Sequence, residues 1–257
     1  MAGDARELPA SAREKPAMEI IQNCNAVLFD LDGTLHLNIA IYVQRFLDVC
    51  TGRGLQLPVL ALQRVMRSEH AYWVDRPRVE RDRVRFGKGA AFWEHFAAMQ
   101  LRTLGLGAAV AAHAAAIAGG VANDGALSTA AVPVDVRPTL QALRQRGYTV
   151  ALVSNRMEAL DTVVAELEMQ DLFDFTLAAG EVDCWKPEPG IMHAALRMAR
   201  TAPHAAVYVG DNYYADVAGA RIAGLTPVLI DRHEVFPVVN CLRIVELGEL
   251  LAVLPGV

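Results

Sequence analysis

Residues 26–35 read Ala-Val-Leu-Phe-Asp-Leu-Asp-Gly-Thr-Leu (AVLFDLDGTL). Ala26–Leu31 is a short apolar run of the kind that fills a strand buried on both faces. Within it Asp30 is out of place, because burying an unpaired carboxylate is costly. Asp32-Gly33 is a common turn pair and accounts for itself; Asp30 does not. Two carboxylates two residues apart suit chemistry in which one attacks an electrophile and the other moves protons. Gly33 then lets backbone approach an anion closely.

Working outward, similar apolar runs recur at Tyr148–Val153, Phe175–Ala178, Ala205–Val209, Thr226–Ile230 and Cys241–Val245. Helical patterns lie between them, at Pro138–Arg146, Arg156–Met169, Pro189–Ala199 and Tyr213–Ala223. Strands alternating with helices predict an α/β fold with a parallel sheet covered on both faces. In such sheets ligands bind beyond the carboxyl ends of the strands. Asp30–Thr34, Ser154-Asn155 and Gly210–Asn212 all fall at such ends. One interruption breaks the alternation. Residues 37–131 carry helical patterns at Ile39–Val49, Leu57–Tyr72, Ala90–Leu104 and Ala108–Ala118, far more than a βαβ crossover needs. The expected organisation is an N-terminal extension (1–20), an α/β core (21–36 and 132–257) and an inserted helical lid (37–131).

Four segments in this order resemble the motifs of the haloacid dehalogenase superfamily. Asp30-Leu31-Asp32-Gly33-Thr34 is similar to the first. Ser154, followed by Asn155, resembles the second, a hydroxyl that donates to phosphate. Lys186 in CWKPEP resembles the third, a lysine that neutralises the phosphoryl group. Gly210-Asp211-Asn212-Tyr213-Tyr214-Ala215-Asp216 resembles the acidic fourth. The resemblance implies a Rossmann-like core with an all-α cap after the first motif, since only 31 residues separate Ser154 from Lys186. It implies Asp30 as nucleophile and Asp32 as acid and base, with Gly33, Thr34, Ser154, Asn155 and Lys186 around the phosphate. Asp30, Asp211 and the main-chain carbonyl of Asp32 would hold Mg²⁺ through hard oxygen ligands. Asp216 would orient Lys186 or support the metal ligands. A capped site of this kind favours a small phosphorylated metabolite. The segment His36-Leu37-Asn38 departs from the acidic or small polar residues of many relatives.

Bulk composition sets the remaining bounds. The chain has 257 residues, 53% of them hydrophobic, and a net charge of -5, which argues against disorder and lacks the basic signature of a nucleic-acid binder. Cys24, Cys50, Cys184 and Cys241 form no CxxC pair and read as reduced thiols. No signal peptide or membrane span is expected, so the expected setting is cytoplasmic, as a monomer or homodimer. The basic run Arg76–Lys88 reads as a solvated lid face, and Trp73, Phe92, Trp93 and Phe96 as lid core. His113, His193 and His204 lack ligand spacing. The expected activity is hydrolysis of a phosphomonoester through an aspartyl-phosphate. Alternatives are sugar-phosphate phosphomutase, 2-haloacid dehalogenase, against which Asp32 counts, and a non-catalytic binding protein.

Overall fold

The computed structural model describes residues 21–122 and 132–257; the expected extension 1–20 and the end of the expected lid, 123–131, lie outside the described residues. Among the described residues, six strands form one wholly parallel sheet. In chain order they are β1 (Ala26–Phe29), β2 (Thr149–Ser154), β3 (Phe175–Ala178), β4 (Ala206–Gly210), β5 (Thr226–Ile230) and β6 (Leu242–Ile244). The sheet order is β3-β2-β1-β4-β5-β6. The order reverses beside β1, so the carboxyl ends of β1, β2 and β4 converge where ligands bind in doubly wound sheets.

The period-2 alternation of the strands builds two cores. Val27 and Phe29 of β1, Val150 and Leu152 of β2, and Val207 and Val209 of β4 face one side. There they meet Val136, Leu140 and Leu143 of α6 (Val136–Gln145), spaced by a helical turn. Ala26, Leu28, Ala151, Val153, Ala206 and Tyr208 face the other side, against Ile191, Met192 and Ala195 of α9 (Pro189–Ala199), which follows the short α8 (Ala179–Val182).

Between β1 and α6 the chain forms α1 (Asn38–Gly52), α2 (Ala61–Val74), α3 (Arg76–Phe86), α4 (Ala90–Thr103) and α5 (Val110–Ala122). Val43 and Phe46 of α1, Val65 of α2, Leu101 of α4 and Ile117 of α5 share one apolar cluster. Leu229, Val235 and Phe236 from the β5 side of the sheet join the same cluster, so the helices pack directly on the sheet layer. Tyr72, Phe92, Phe96 and Met99 form a second, aromatic cluster under α3. Trp93 remains 37% exposed.

Three elements differ from expectation. The basic run is itself a helix, α3, started by Asp75, whose side chain accepts from Arg78 N, and by Pro77 in the first turn. It is mostly exposed, yet the Arg76 guanidinium stacks over Trp185 at 3.3 Å from the ring centroid. α2 starts at Ala61, not Leu57, because Leu60 takes a left-handed conformation (φ 62°). The helix expected over Arg156–Met169 shrinks to α7 (Asp161–Glu166), since residues 156–160 follow an irregular path over the strand end.

One buried carboxyl in these helices lacks a full set of partners. Glu69 of α2 accepts from Trp73 Nε1 (3.3 Å), while its Oε2 meets no donor among the described residues. Burial pushes its carboxyl from 4.5 up to about 8, against the pull of the Trp73 bond. Because the folded value lies above the unfolded one, the fold keeps this proton while the unfolded chain releases it, so stability falls as pH rises from 4.5 to 8. Glu69→Gln should therefore gain stability over the parent between pH 5 and pH 8, by on the order of a few kcal/mol, in urea midpoints. Parallel stability curves for the two proteins would count against a buried carboxyl.

Candidate active site

The first carboxylate is delivered by β1. Asp30 N donates to the Val209 carbonyl (2.9 Å), which continues the sheet and leaves the Asp30 side chain, 6% exposed, at the carboxyl edge. Lys186 reaches it from the loop before α9, with Nζ 2.5 Å from Asp30 Oδ1 and 2.8 Å from Asp216 Oδ1. The ammonium also donates to the Tyr208 hydroxyl (2.8 Å), which in turn donates to the Val153 carbonyl (2.7 Å). Lys186 is thus fully enclosed by oxygen. Burial alone would lower its affinity for the proton, but Asp216 and Asp30 outweigh it and hold Lys186 charged well above its ordinary range.

Asn155 fixes that lysine from behind. Its amide donates to the Lys186 carbonyl (3.0 Å) and accepts from Lys186 N (2.7 Å). Asn155 was expected at the phosphate; its side chain is instead occupied with the lysine backbone. Ser154 closes β2 with its side chain buried at the same sheet edge.

The fourth segment turns sharply after β4. Asn212 caps a wide π turn (Tyr213–Val217) by accepting from Tyr214 N and Ala215 N, and Asp216 Oδ2 accepts from Asn212 N (2.9 Å). This doubling back places Asp216 beside Gly210, where a Cβ would lie 2.3 Å from its carboxyl carbon. Asp211 points at Gly33. The Thr34 hydroxyl, expected at the phosphate, donates to Asp211 Oδ1 (3.3 Å). Gly33 N likewise donates within the loop, to the His36 carbonyl (2.7 Å).

Asp30, Asp211 and Asp216 each bring one carboxylate oxygen within 4.8 Å of the others. Three buried carboxylates face one lysine. Burial raises Asp30 to about 7 despite Lys186, and neighbouring Asp216 and Asp32 add to the rise. Burial and the charge of Asp30 likewise raise Asp211 well above the carboxylate range, and its Oδ2 is buried without a donor. The cluster lacks positive charge and has an unused hard-oxygen ligand. Both fit a small divalent cation such as Mg²⁺.

Asp32 behaves differently. Its side chain turns away from the lysine into the fork of Arg156, with Nε to Oδ2 at 2.8 Å and Nη2 to Oδ1 at 2.7 Å. Asn38, the first residue of α1, donates to the same Oδ1 (2.7 Å), and His36 Nδ1 stands 3.8 Å off. Burial works to raise this carboxyl, but the Arg156 bonds, helped by His36, hold it well below the usual carboxylate range. From α2, His70 brings Nε2 to 3.7 Å from Asp211 Oδ2, and its carbonyl accepts from the Asn212 amide (3.3 Å).

Sequence reasoning missed Arg156, Tyr208, His70 and Asn38. Arg156 had a signal, being adjacent to Asn155, and Asn38 a weaker one, lying in the segment that departs from the family pattern. Tyr208 and His70 had none, since only the sheet and the docking of α2 bring them in. Among the described residues, all four cysteines are free and no helix is long and apolar enough to cross a membrane.

Gly33 tests the geometry. It has φ +89°, and an added Cβ would sit 2.0 Å from Asp211 Oδ2. Gly33→Ala should displace Asp211 and abolish divalent-cation binding in calorimetry, while far-UV dichroism stays that of the parent. Unchanged Mg²⁺ affinity would show that Asp211 is not held by this contact.

Comparison with known proteins places these features in context. The family of haloacid dehalogenase-like hydrolases matches residues 24–224. "Haloacid dehalogenase-like hydrolase domain-containing protein 3" of Mus musculus is 37% identical over 96 residues, covering 37% of this chain and 38% of that protein. "Phosphoserine phosphatase" of Thermus thermophilus is 37% identical over 94 residues, covering 36% of this chain and 38% of that protein. The matches thus span under two-fifths of these curated relatives. A crystal structure of a HAD phosphatase from Thermococcus onnurineus superposes with TM-score 0.54 at 24% identity, over 90% of this chain and 98% of that one. A dehalogenase structure gives 0.58 at 22%, over 91% and 99%. At these identities the superpositions establish the fold.

Proposed function

The chain belongs to the haloacid dehalogenase-like hydrolases, and from that premise we propose that it is a Mg²⁺-dependent phosphatase acting on a small phosphorylated metabolite in the cytoplasm. The observation that carries this reading is the cluster of three buried carboxylates around a single enclosed lysine. A phosphatase name on one relative and the retention of Asp32 support it over carbon–halogen cleavage. In this reading the core is 21–36 with 132–257, and 37–131 is a cap that covers the site.

Mg²⁺ would be held by Asp30, Asp211 and the carbonyl of Asp32, and would neutralise charge on the transferring phosphoryl group. Asp216 then does two tasks, anchoring Lys186 and bracing the loop that carries Asp211. Lys186 keeps Asp30 oriented and offers positive charge to the phosphoryl oxygens, and the buried Ser154 hydroxyl donates to one of them. Asp30 attacks phosphorus in line, giving an aspartyl-phosphate while the leaving alkoxide takes a proton from Asp32. Water then gives a proton to Asp32 and releases phosphate, restoring Asp30. Held by Arg156 and Asn38, Asp32 is prepared as the base of the second half-reaction. To act as the acid of the first, it must leave the Arg156 fork.

The test uses nitrophenyl phosphate and a panel of phosphate esters, with a 2-haloacid as control. Hydrolysis of esters should vanish with chelator and return with Mg²⁺, and Asp30→Asn should be inactive. Asp32→Asn should lose about 10²–10⁴-fold on alkyl esters. The loss should be smaller on nitrophenyl phosphate, whose leaving group needs little protonation, and a phosphorylated Asp30 should accumulate. Halide release from the haloacid, or full ester hydrolysis in chelator, would overturn the reading.

A further inference from the structure

We infer that Arg156 is a specificity residue that binds a carboxylate on the leaving portion of the substrate, so that the preferred substrates are phosphate esters of small hydroxycarboxylic acids. This rests on the phosphatase reading above and adds the substrate class to it.

The geometry of the fork makes the case. Nε and Nη2 engage both oxygens of Asp32 in parallel, the arrangement by which arginine recognises planar carboxylates. Asp32 in this conformation stands in for a ligand carboxylate. The arginine side chain is 35% exposed and that of Asp32 25%, so the fork opens to the cleft and is not sealed as a core pair would be. Its backbone is preset. Gly180 N donates to the Arg156 carbonyl (3.2 Å), and a Cβ on Gly180 would meet the Met157 carbonyl at 1.8 Å, so the 156–157 segment is seated directly against residue 180.

The exchange is balanced. When a substrate carboxylate takes the fork, it also faces the Asn38 amide that Asp32 gives up, and Asp32 still has His36 beside it, so neither partner is stranded. The same exchange frees Asp32 to turn toward the ester oxygen. Asp32 lies two residues from the proposed nucleophile, so a carboxylate one or two carbons from the ester oxygen would occupy the place its side chain vacates. A neutral leaving group offers the fork nothing and leaves Asp32 engaged. Arg156 would thus couple recognition of the leaving group to release of the proton donor.

Phosphoglycolate and ethyl phosphate serve as probes, being alike in size and differing in the carboxylate. Binding is measured calorimetrically with Mg²⁺ in full-length Asp30→Asn protein, which should not turn over. Steady-state rates are measured in protein retaining Asp30. Phosphoglycolate should bind more tightly. Arg156→Gln should weaken phosphoglycolate about 10- to 100-fold, the loss expected for a charge-assisted bidentate pair, and change ethyl phosphate less than about threefold. Arg156→Lys keeps the charge and loses the fork, and should give an intermediate loss for phosphoglycolate alone; it also serves if Arg156→Gln fails to fold. Equal affinities for the two probes, or equal losses on both, would show that Arg156 only neutralises Asp32 and would overturn the inference. Turnover of both esters with equal KM would sink the inference and leave the phosphatase reading standing. Selective, Arg156-dependent binding without turnover of any ester would do the reverse.

Discussion

Everything at the sheet edge depends on how Lys186 is held. A lysine buried to this degree is stable only because two carboxylates, a tyrosine hydroxyl and a backbone carbonyl surround its ammonium. The dependence is mutual. Asp30 and Asp216 could not both stay ionised in an apolar setting without that charge, and three carboxylates still outnumber the one ammonium. The deficit turns a structural ion pair into a receptor for a cation. The same residues that keep the fold tolerable thus define the site's electrostatic demand.

Close approach is the second condition. The loop after β1 meets Asp211 because Gly33 presents no side chain, and the turn after β4 folds Asp216 back over its own strand because Gly210 presents none. Two carboxylates therefore rest on bare backbone, and their positions are set by strands buried on both faces. Rigidity comes from the sheet, whereas the groups that engage Asp32 and Asp211 from outside it, Asn38 and His70, belong to helices α1 and α2. Proton handling and the open cation site are thereby linked to whatever those helices do.

Much of this was legible in the sequence. All six strands were marked by apolar runs, and Asp30 betrayed the site because its burial made no sense otherwise. The resemblance to four family motifs, taken in order, pointed to Asp30, Lys186, Asp211 and Asp216, which the fold brings together. What stayed hidden depended on direction. Nothing in a row of letters says that Asn155 turns back to the lysine, that Thr34 turns to Asp211, or that Arg156 turns forward to Asp32. Charge runs misled in another way. The segment from Arg76 reads as a solvated face, and it is mostly that, but its first arginine lies across a tryptophan of the core.

That tryptophan is Trp185, the neighbour of Lys186, and it gives the molecule an optical reporter. Of the three tryptophans, Trp73 and Trp93 sit among rings on α2 and α4, while the indole of Trp185 is covered by a guanidinium carried on α3. A cation over an indole face alters its emission, so with Trp73 and Trp93 replaced by phenylalanine the fluorescence of Trp185 reads the separation of helix and core. Movement of the helical layer could then be followed in real time, without a label, from the residue beside the lysine on which the site is built.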